Sequence, residues 1–188
     1  IKVNQKTVIK ASMFIDGMQK GKTSRKTIFF SKAIGKKVKY NSQYSDRYTG
    51  SGPLTLVDGL TGSIAHNDNY WQGWHEDDMD VTIDLSKVES VSRISMGFLE
   101  SHGSWIFLPT HVMVSFSDDG SSYKEQVEIQ ITDGKRGGAA NRVECESGNL
   151  DVSARYVRVK AINRKKCPEW HPGSGGKTWV FSDEIIVE

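Results

Sequence analysis

The chain has 188 residues, of which 37% are hydrophobic and 26% charged, and its mean hydropathy is −0.48. This composition is typical of a soluble globular protein, and no apolar run approaches the roughly 20 residues that a membrane helix needs. The charge is uneven, because residues 1–47 contain 12 Lys and Arg against two Asp, whereas residues 48–188 contain 13 against 21 Asp and Glu. Such a break suggests two structural units.

The basic N-terminal segment has two interpretations. It either binds a polyanion or an anionic surface, or it is a solvated strand pair whose lysines protect a sheet edge. We favour the second, because the lysines are spread among apolar positions, and we expect neither a nucleic-acid partner nor membrane insertion. The chain opens at Ile1 without an initiator Met or a signal peptide, so we expect a monomeric fragment of a longer protein.

Strand patterns dominate the chain from its start to its end. Residues 1–35 predict a β-hairpin that turns at Asp16-Gly17, and residues 36–188 predict the main domain. No apolar period of 3.6 residues covers a helix-sized window, whereas alternation is typical of strands. The alternating stretches are 7–15, 26–31, 79–85, 91–99, 111–117, 126–132, 154–163 and 178–187. Turn residues separate them, so we predict an all-β fold, an antiparallel β-sandwich or jelly roll.

The two cysteines, Cys145 and Cys167, are not in a C-x-x-C motif and have no histidines at zinc-finger spacing. A thiolate metal site is therefore not expected. Whether the two form a disulfide stays open, because the sequence does not supply the short Cα separation that a disulfide requires.

Catalysis by this chain is not expected, and we assign no catalytic residue. Neighbouring carboxylates occur at 76–78 and 183–184, but adjacent acidic residues are not the separated pair that glycoside hydrolysis uses. None of the common nucleophile, zinc-protease or nucleotide-binding motifs is present.

Three loop stretches, 69–78, 100–109 and 164–177, each combine tryptophan, histidine and glycine. A pyranose has an apolar face that an indole can cover and a rim of hydroxyls that polar side chains can bind. We therefore predict that these loops meet in a carbohydrate site. Its candidate residues are Trp74, His75, His102, Trp105, Trp170 and His171.

The stretch LVDGLTGS, residues 56–63, is a second candidate site. Asp58 followed by glycine is on its own an ordinary turn. The same carboxylate, with nearby hydroxyls and carbonyls, can also surround a hard cation such as calcium. Both interpretations remain open at this point.

Several motifs together resemble the discoidin family, also called coagulation factor V/VIII type C. They are LVDGLTGS, WQGW, VTIDL, FSDDGSSY, ARYVRVKA and DEIIVE, in that order, and the resemblance covers residues 36–188. This family overlaps the family-32 carbohydrate-binding modules. The resemblance implies a galactose-binding-like jelly roll.

A closer resemblance is to the C-terminal module of Bacteroides-type family-20 glycoside hydrolases, the β-N-acetylhexosaminidases or chitobiases. The motifs YSDRYTGSG, YWQGW, GSWIFLP and CPEWHPGSGGKTWVFSDEI carry it. Residues 1–35 resemble the last strands of the small domain that precedes this module. The resemblance implies a catalytic domain in cis and a periplasmic, outer-membrane-surface or extracellular location.

The discoidin resemblance also implies one structural calcium ion. In that family the Asp of the Asp-Gly turn, a hydroxyl five residues later, a nearby carbonyl and a late Glu bind the cation. The corresponding positions here are Asp58, Ser63, the carbonyl of Leu60 and Glu184. Serine replaces the commoner threonine.

We therefore predict a non-catalytic module that tethers a β-N-acetylhexosaminidase to glycans ending in galactose or an N-acetylhexosamine. Two alternatives stay open, because a fold does not determine a function. One is a domain that only braces the catalytic barrel. The other is a discoidin domain that binds a membrane or a protein, which would need exposed apolar side chains such as those of residues 106–108.

Overall fold

The structure, a computed structural model, describes residues 7–28 and 30–188. Within these residues the chain forms eleven strands and two single-turn 3-10 helices, Thr55–Val57 and His102–Ser104. The sheets are antiparallel throughout, so the predicted all-β sandwich is confirmed. None of the helices in the described part is long and apolar enough to cross a bilayer.

The strands, in chain order, are β1 (Thr7–Ile15), β2 (Met18–Ile28), β3 (Lys37–Tyr40), β4 (Gln72–His75), β5 (Met79–Val91), β6 (Ile94–Glu100), β7 (His111–Ser117), β8 (Lys124–Gln130), β9 (Asn141–Glu146), β10 (Val152–Ala161) and β11 (Trp179–Val187).

Strands β1 and β2 form a separate two-stranded hairpin. Asp16 and Gly17 make its turn with positive φ angles of 52° and 75°, the conformation that two-residue hairpin turns require. Apolar side chains near the turn, including those of Phe14 and Met18, are about 60% exposed. A hairpin of this kind is only marginally stable alone. Its predicted origin in a preceding domain stays a prediction.

The chain joins the sandwich at Ser31. The N–H of Lys32 donates to the carbonyl of Val187 at 2.7 Å, and the N–H of Val187 donates to Ser31 Oγ at 3.0 Å. Ala33 is fully buried in the main core. The segment just before β3 is therefore part of the sandwich.

The larger sheet has the strand order β3-β5-β10-β7-β8. Alternate residues of a strand point to opposite faces, and in β10 the inward residues Val157, Val159 and Ala161 have no exposed surface. Their neighbours Tyr156 and Arg158 face outward and are partly exposed. One face of this sheet therefore covers the core, and the other is polar.

The smaller sheet has the order β4-β11-β6-β9 and closes the core from the other side. Strand β6 is buried along its whole length, because loops also cover its outer face. A second apolar cluster of Trp71, Leu99, Ile106 and Phe181 fills the space between this face and the loops. The two sheets thus differ, since the outer face of the larger one is not covered in this way.

Several strand boundaries differ from the prediction. Strand β5 runs on to Val91, and strands β3, β4 and β9 were not predicted. The predicted strand 26–31 is partly the end of β2, and its position 29 lies outside the described residues.

Cys145 and Cys167 are both buried and free, so the open question of a disulfide is answered in the negative. Burial raises the pKa of the Cys145 thiol to about 11. The apolar residues that a membrane-binding loop would need are buried as well. Ile106, Phe107 and Leu108 are only 1–2% exposed.

Candidate functional site

Two of the three predicted loops, 100–109 and 164–177, meet at one end of the sandwich. The rings of His102 and Trp170 are 5.0 Å apart, and those of Trp105 and His171 are 5.9 Å apart. His171 Nε2 lies 2.9 Å from the carbonyl oxygen of His102. Four of the six predicted residues are therefore brought together.

The third loop, 69–78, contributes no ring to this group, and the prediction for Trp74 is wrong. Trp74 has no exposed surface, because β4 pairs with β11 and turns the indole into the core, where its N–H donates to the carbonyl of Ser42. A buried indole cannot stack on a sugar. His75 is exposed but stacks on Trp179, with ring centroids 4.3 Å apart.

The predicted role of His102 and His171 as ligands for sugar hydroxyls is corrected as well. Both are about 5% exposed. His102 Nε2 lies 3.1 Å from Glu100 Oε1, and its Nδ1 accepts the N–H of Gly137. His171 Nδ1 accepts the N–H of Gly173, and its Nε2 donates to the protein backbone. Neither imidazole keeps a nitrogen for a ligand.

Trp105 follows the second 3-10 helix with a positive φ of 63° and is 39% exposed. Its ring lies directly against the backbone of Gly173 and Gly176, where a Cβ atom would overlap the indole. Only glycine allows this approach. The indole is therefore half covered, and it does not line the cleft described next.

A cleft of about 650 Å³ opens between the two loops. This volume is in the range of small-ligand sites. Trp170, which is half-buried, forms one wall together with Phe107. The remaining lining residues are His102, Asp133, Gly134, Arg136, Arg164, Pro168 and Glu169. An aromatic wall with a polar rim is the arrangement that suits a pyranose.

The polar rim was missed by the sequence analysis. Arg164 donates two hydrogen bonds to the carboxylate of Asp133, at 2.5 and 2.7 Å, and its guanidinium lies 6.0 Å from the centre of the Phe107 ring. Within the described residues Arg164 Nε is buried and has no hydrogen-bond partner. The sequence signal was weak, since Asp133-Gly134 is an ordinary turn pair.

The loop that carries this rim is fixed by the buried pair of Glu100 and His102. Glu100 accepts the N–H of Gly134 at 3.2 Å, and His102 accepts the N–H of Gly137 at 3.1 Å. A side chain at position 134 would overlap the Glu100 carboxylate. The buried pair thus positions the rim through backbone hydrogen bonds.

The second candidate site lies around Glu184, a buried carboxylate in strand β11. Glu184 is 1% exposed, and its Oε2 accepts the N–H of Gly59 at 3.0 Å. Its other oxygen, Oε1, is buried and has no partner among the described residues. Burial raises the pKa of Glu184 to about 9, and the nearby carboxylates of Asp58 and Asp183 add to the rise.

Two of the four predicted calcium ligands, Asp58 and Glu184, lie beside each other. Asp58 lies beside Glu184 and holds the N–H of Leu60 at 2.8 Å, so the Leu60 peptide belongs to the same turn. Ser63 is different, because its hydroxyl accepts the N–H of Ala65 in a neighbouring turn. No group of three or more His, Cys, Asp or Glu side chains suited to a metal occurs among the described residues.

Comparisons with known proteins agree with this architecture. A family model described as "F5/8 type C domain" matches residues 37–180. A fucose-binding module of Streptococcus pneumoniae has the same fold, with a TM-score of 0.54 and 17% identity over 93% of this chain and 98% of that one. A second such module from the same organism gives 0.52 and 14%, over 84% and 96%. No curated protein matches this chain.

Proposed function

This chain belongs to the F5/8 type C domain family, and we propose that it is a non-catalytic module that binds carbohydrate in the cleft beside Trp170. The half-buried indole in a cleft with a polar rim is the observation that carries the proposal. The names of the two solved neighbours, both fucose-binding modules, support the ligand class.

The cleft offers the two kinds of contact that a sugar ring needs. The half-buried Trp170 ring can cover the apolar C–H face, and the rim can bind hydroxyls. Asp133 supplies exposed carboxylate oxygens, and Arg164 holds that carboxylate in place with two hydrogen bonds. These contacts are few and the site is open, so we expect weak binding with a Kd of about 0.1–1 mM.

A titration with galactose, N-acetylgalactosamine, N-acetylglucosamine and fucose, followed by NMR of the indole and amide signals, tests this site. Trp170→Ala should cost about 1–3 kcal/mol and bring binding below detection, because the stacking surface is lost. Trp105→Ala removes an equally large indole outside the cleft and should leave the Kd unchanged. The thermal unfolding of both variants checks their folds.

Two outcomes contradict the proposal. If no indole signal moves at tens of millimolar sugar, the domain that only braces its parent protein becomes the better description. If Trp105→Ala abolishes binding and Trp170→Ala does not, the sugar binds at Trp105 and not in the cleft.

The module's parent is part of the proposal. The sequence resemblance to family-20 glycoside hydrolases supports a catalytic domain in cis, an exported location and a preference for galactose or N-acetylhexosamine ends. The gene region that precedes the codon for Ile1 should then encode such a hydrolase domain. Tethering would raise the local substrate concentration without chemistry in this chain.

We also propose a structural calcium ion at Asp58 and Glu184, with the carbonyl of Leu60. The unpartnered buried oxygen of Glu184 supports it, because a buried carboxylate oxygen without a partner is costly unless it is protonated or binds a cation. The ion would neutralise the two carboxylates and fix loop 58–63 against β11.

Thermal unfolding with calcium and with a chelator tests this site. A free concentration 100 times the Kd stabilises by about 2.7 kcal/mol, which raises the Tm of a chain of this size by about 5–10 °C. Asp58→Ala should abolish the rise. Asp68→Ala, which removes a carboxylate from the neighbouring turn, should keep it. Equal Tm values in calcium and chelator for the unchanged chain contradict the proposal.

A further inference from the structure

The outer face of the five-stranded sheet carries a second groove, which shares no lining residue with the loop cleft. It has a volume of about 500 Å³. Thr82 on β5 and Tyr156 and Arg158 on β10 line its floor. Lys37 and Lys39 of edge strand β3 line one side. An adjoining depression of about 380 Å³ continues toward β8.

Tyr123 and Arg158 line both depressions, so the two adjoin at these side chains. It lies in the loop between β7 and β8, and its ring centre is 5.9 Å from the Arg158 guanidinium. Tyr156 packs beside Gly120, where an added Cβ atom would lie only about 3.2 Å from the tyrosine ring. Both tyrosines are partly buried. The groove thus presents two fixed aromatic rings on an otherwise polar sheet.

The charges of this face divide into paired and unpaired groups. Arg158 forms two hydrogen bonds with Asp80, and Arg155 forms two with Asp84, so these four charges cancel. In the described part of the chain, Lys37 and Lys39 have no carboxylate within 4.0 Å. Asp84 lines the same groove and attracts Lys37, but its carboxylate is already paired with Arg155, so the two ammonium groups leave the groove electropositive.

We propose that this groove binds an acidic polysaccharide, a chain of sugars that carry carboxylate or sulfate groups. The tyrosine rings suit the apolar faces of the sugars, and the two lysines suit the anionic substituents. The two depressions cross five strands spaced about 4.8 Å apart, a span of about 19 Å, which is longer than one sugar ring. The site is separate from the Trp170 cleft, and neither depends on the other.

Affinity electrophoresis with polygalacturonate and with dextran sulfate tests this groove, and neutral dextran serves as the uncharged polymer. The double variant Lys37→Ala/Lys39→Ala should bind the acidic polymers about five- to tenfold more weakly. Tyr123→Ala should weaken them about tenfold. The matched double variant Lys20→Ala/Lys22→Ala lowers the net charge equally on the hairpin and should bind like the unchanged chain. Trp170→Ala should also retain this binding.

Three results would overturn the proposal. The first is equal loss in the two double-lysine variants, which would indicate attraction by net charge alone. The second is binding of poly-glutamate as tight as that of the acidic polysaccharides, which would make an acidic peptide the better ligand. The third is no retardation by either acidic polymer at low ionic strength, where such attraction is strongest.

Discussion

His102 and His171 each use both ring nitrogens inside the protein, although the sequence pattern suggested sugar ligands. The backbone N–H groups of Gly137 and Gly173 need acceptors, and the imidazoles supply them. Buried backbone donors are almost always satisfied in native proteins. Tryptophan, histidine and glycine therefore occur together partly because closely packed loops need internal hydrogen bonds. Two of the three loops with this pattern meet, but the pattern does not indicate which of their residues face a ligand.

Asp80, on strand β5 of the larger sheet, shows how paired charges affect the stability of this protein. Burial raises its pKa, but hydrogen bonds from Arg158 and Asn41 outweigh burial and hold the pKa below its usual range. The stability that Asp80 contributes is therefore present above its unfolded pKa of about 3.9. It is lost as the pH falls through the lower folded pKa.

Asp80→Asn should consequently lower the free energy of unfolding at pH 7 by about 1–3 kcal/mol, because charged hydrogen bonds are lost. Its free energy of unfolding should also fall less steeply than that of the unchanged chain below about pH 4. Urea unfolding between pH 2.5 and 7 measures both effects. Asp46→Asn, at an exposed position, is the control and should follow the unchanged chain. Parallel curves for Asp80→Asn would contradict this account.

At the scale of elements, the long strands were predictable from their own residues. In β10 the alternation of buried and partly exposed residues is direct, because one face packs on the core and the other meets solvent. Strands β3 and β4 contain only four residues each, too few for a period to stand out. Their positions depend on pairing with β5 and β11, which local sequence does not specify.

The positions of the loops depend even more on contacts that local sequence does not specify. The meeting of loops 100–109 and 164–177 was predicted from their composition, and the contacts between their rings agree with it. Loop 131–140 was not expected at the cleft, because Asp133 and Arg164 come together only through the sandwich topology. Trp74 was misassigned for a related reason, since its burial depends on the partner strand rather than on the glycine beside it.

At the scale of the whole molecule, the two sheets differ in what covers them. Loops and a second apolar cluster cover the outer face of the smaller sheet, whereas the outer face of the larger sheet holds a groove. The proposed cleft therefore lies among the loops, and the proposed groove lies on the outer face of the larger sheet. A sugar at the loops and an acidic polymer on the sheet could be bound together, which would increase avidity for a mixed glycan surface.

The N-terminal hairpin gives the remaining prediction at this scale. The main core includes Ala33 but none of the described residues of β1 and β2. A chain that begins at Phe30 should therefore keep its free energy of unfolding within about 0.5 kcal/mol, as changes away from packed features usually do. A chain that begins at Ile34 loses Ala33 and the two hydrogen bonds that Lys32 N–H and Ser31 Oγ form with Val187, and should be less stable by about 1–3 kcal/mol.

Urea unfolding of the two shortened chains beside the full one measures the difference, and the Trp170 indole shifts report whether the cleft is intact. The comparison separates two roles for the basic hairpin. If the chain from Phe30 loses more than about 2 kcal/mol, the hairpin packs on the sandwich in solution and contributes to its stability. If it loses nothing, the exposed Phe14 and Met18 are free to contact another domain or molecule, because apolar side chains exposed together usually mark an interaction surface.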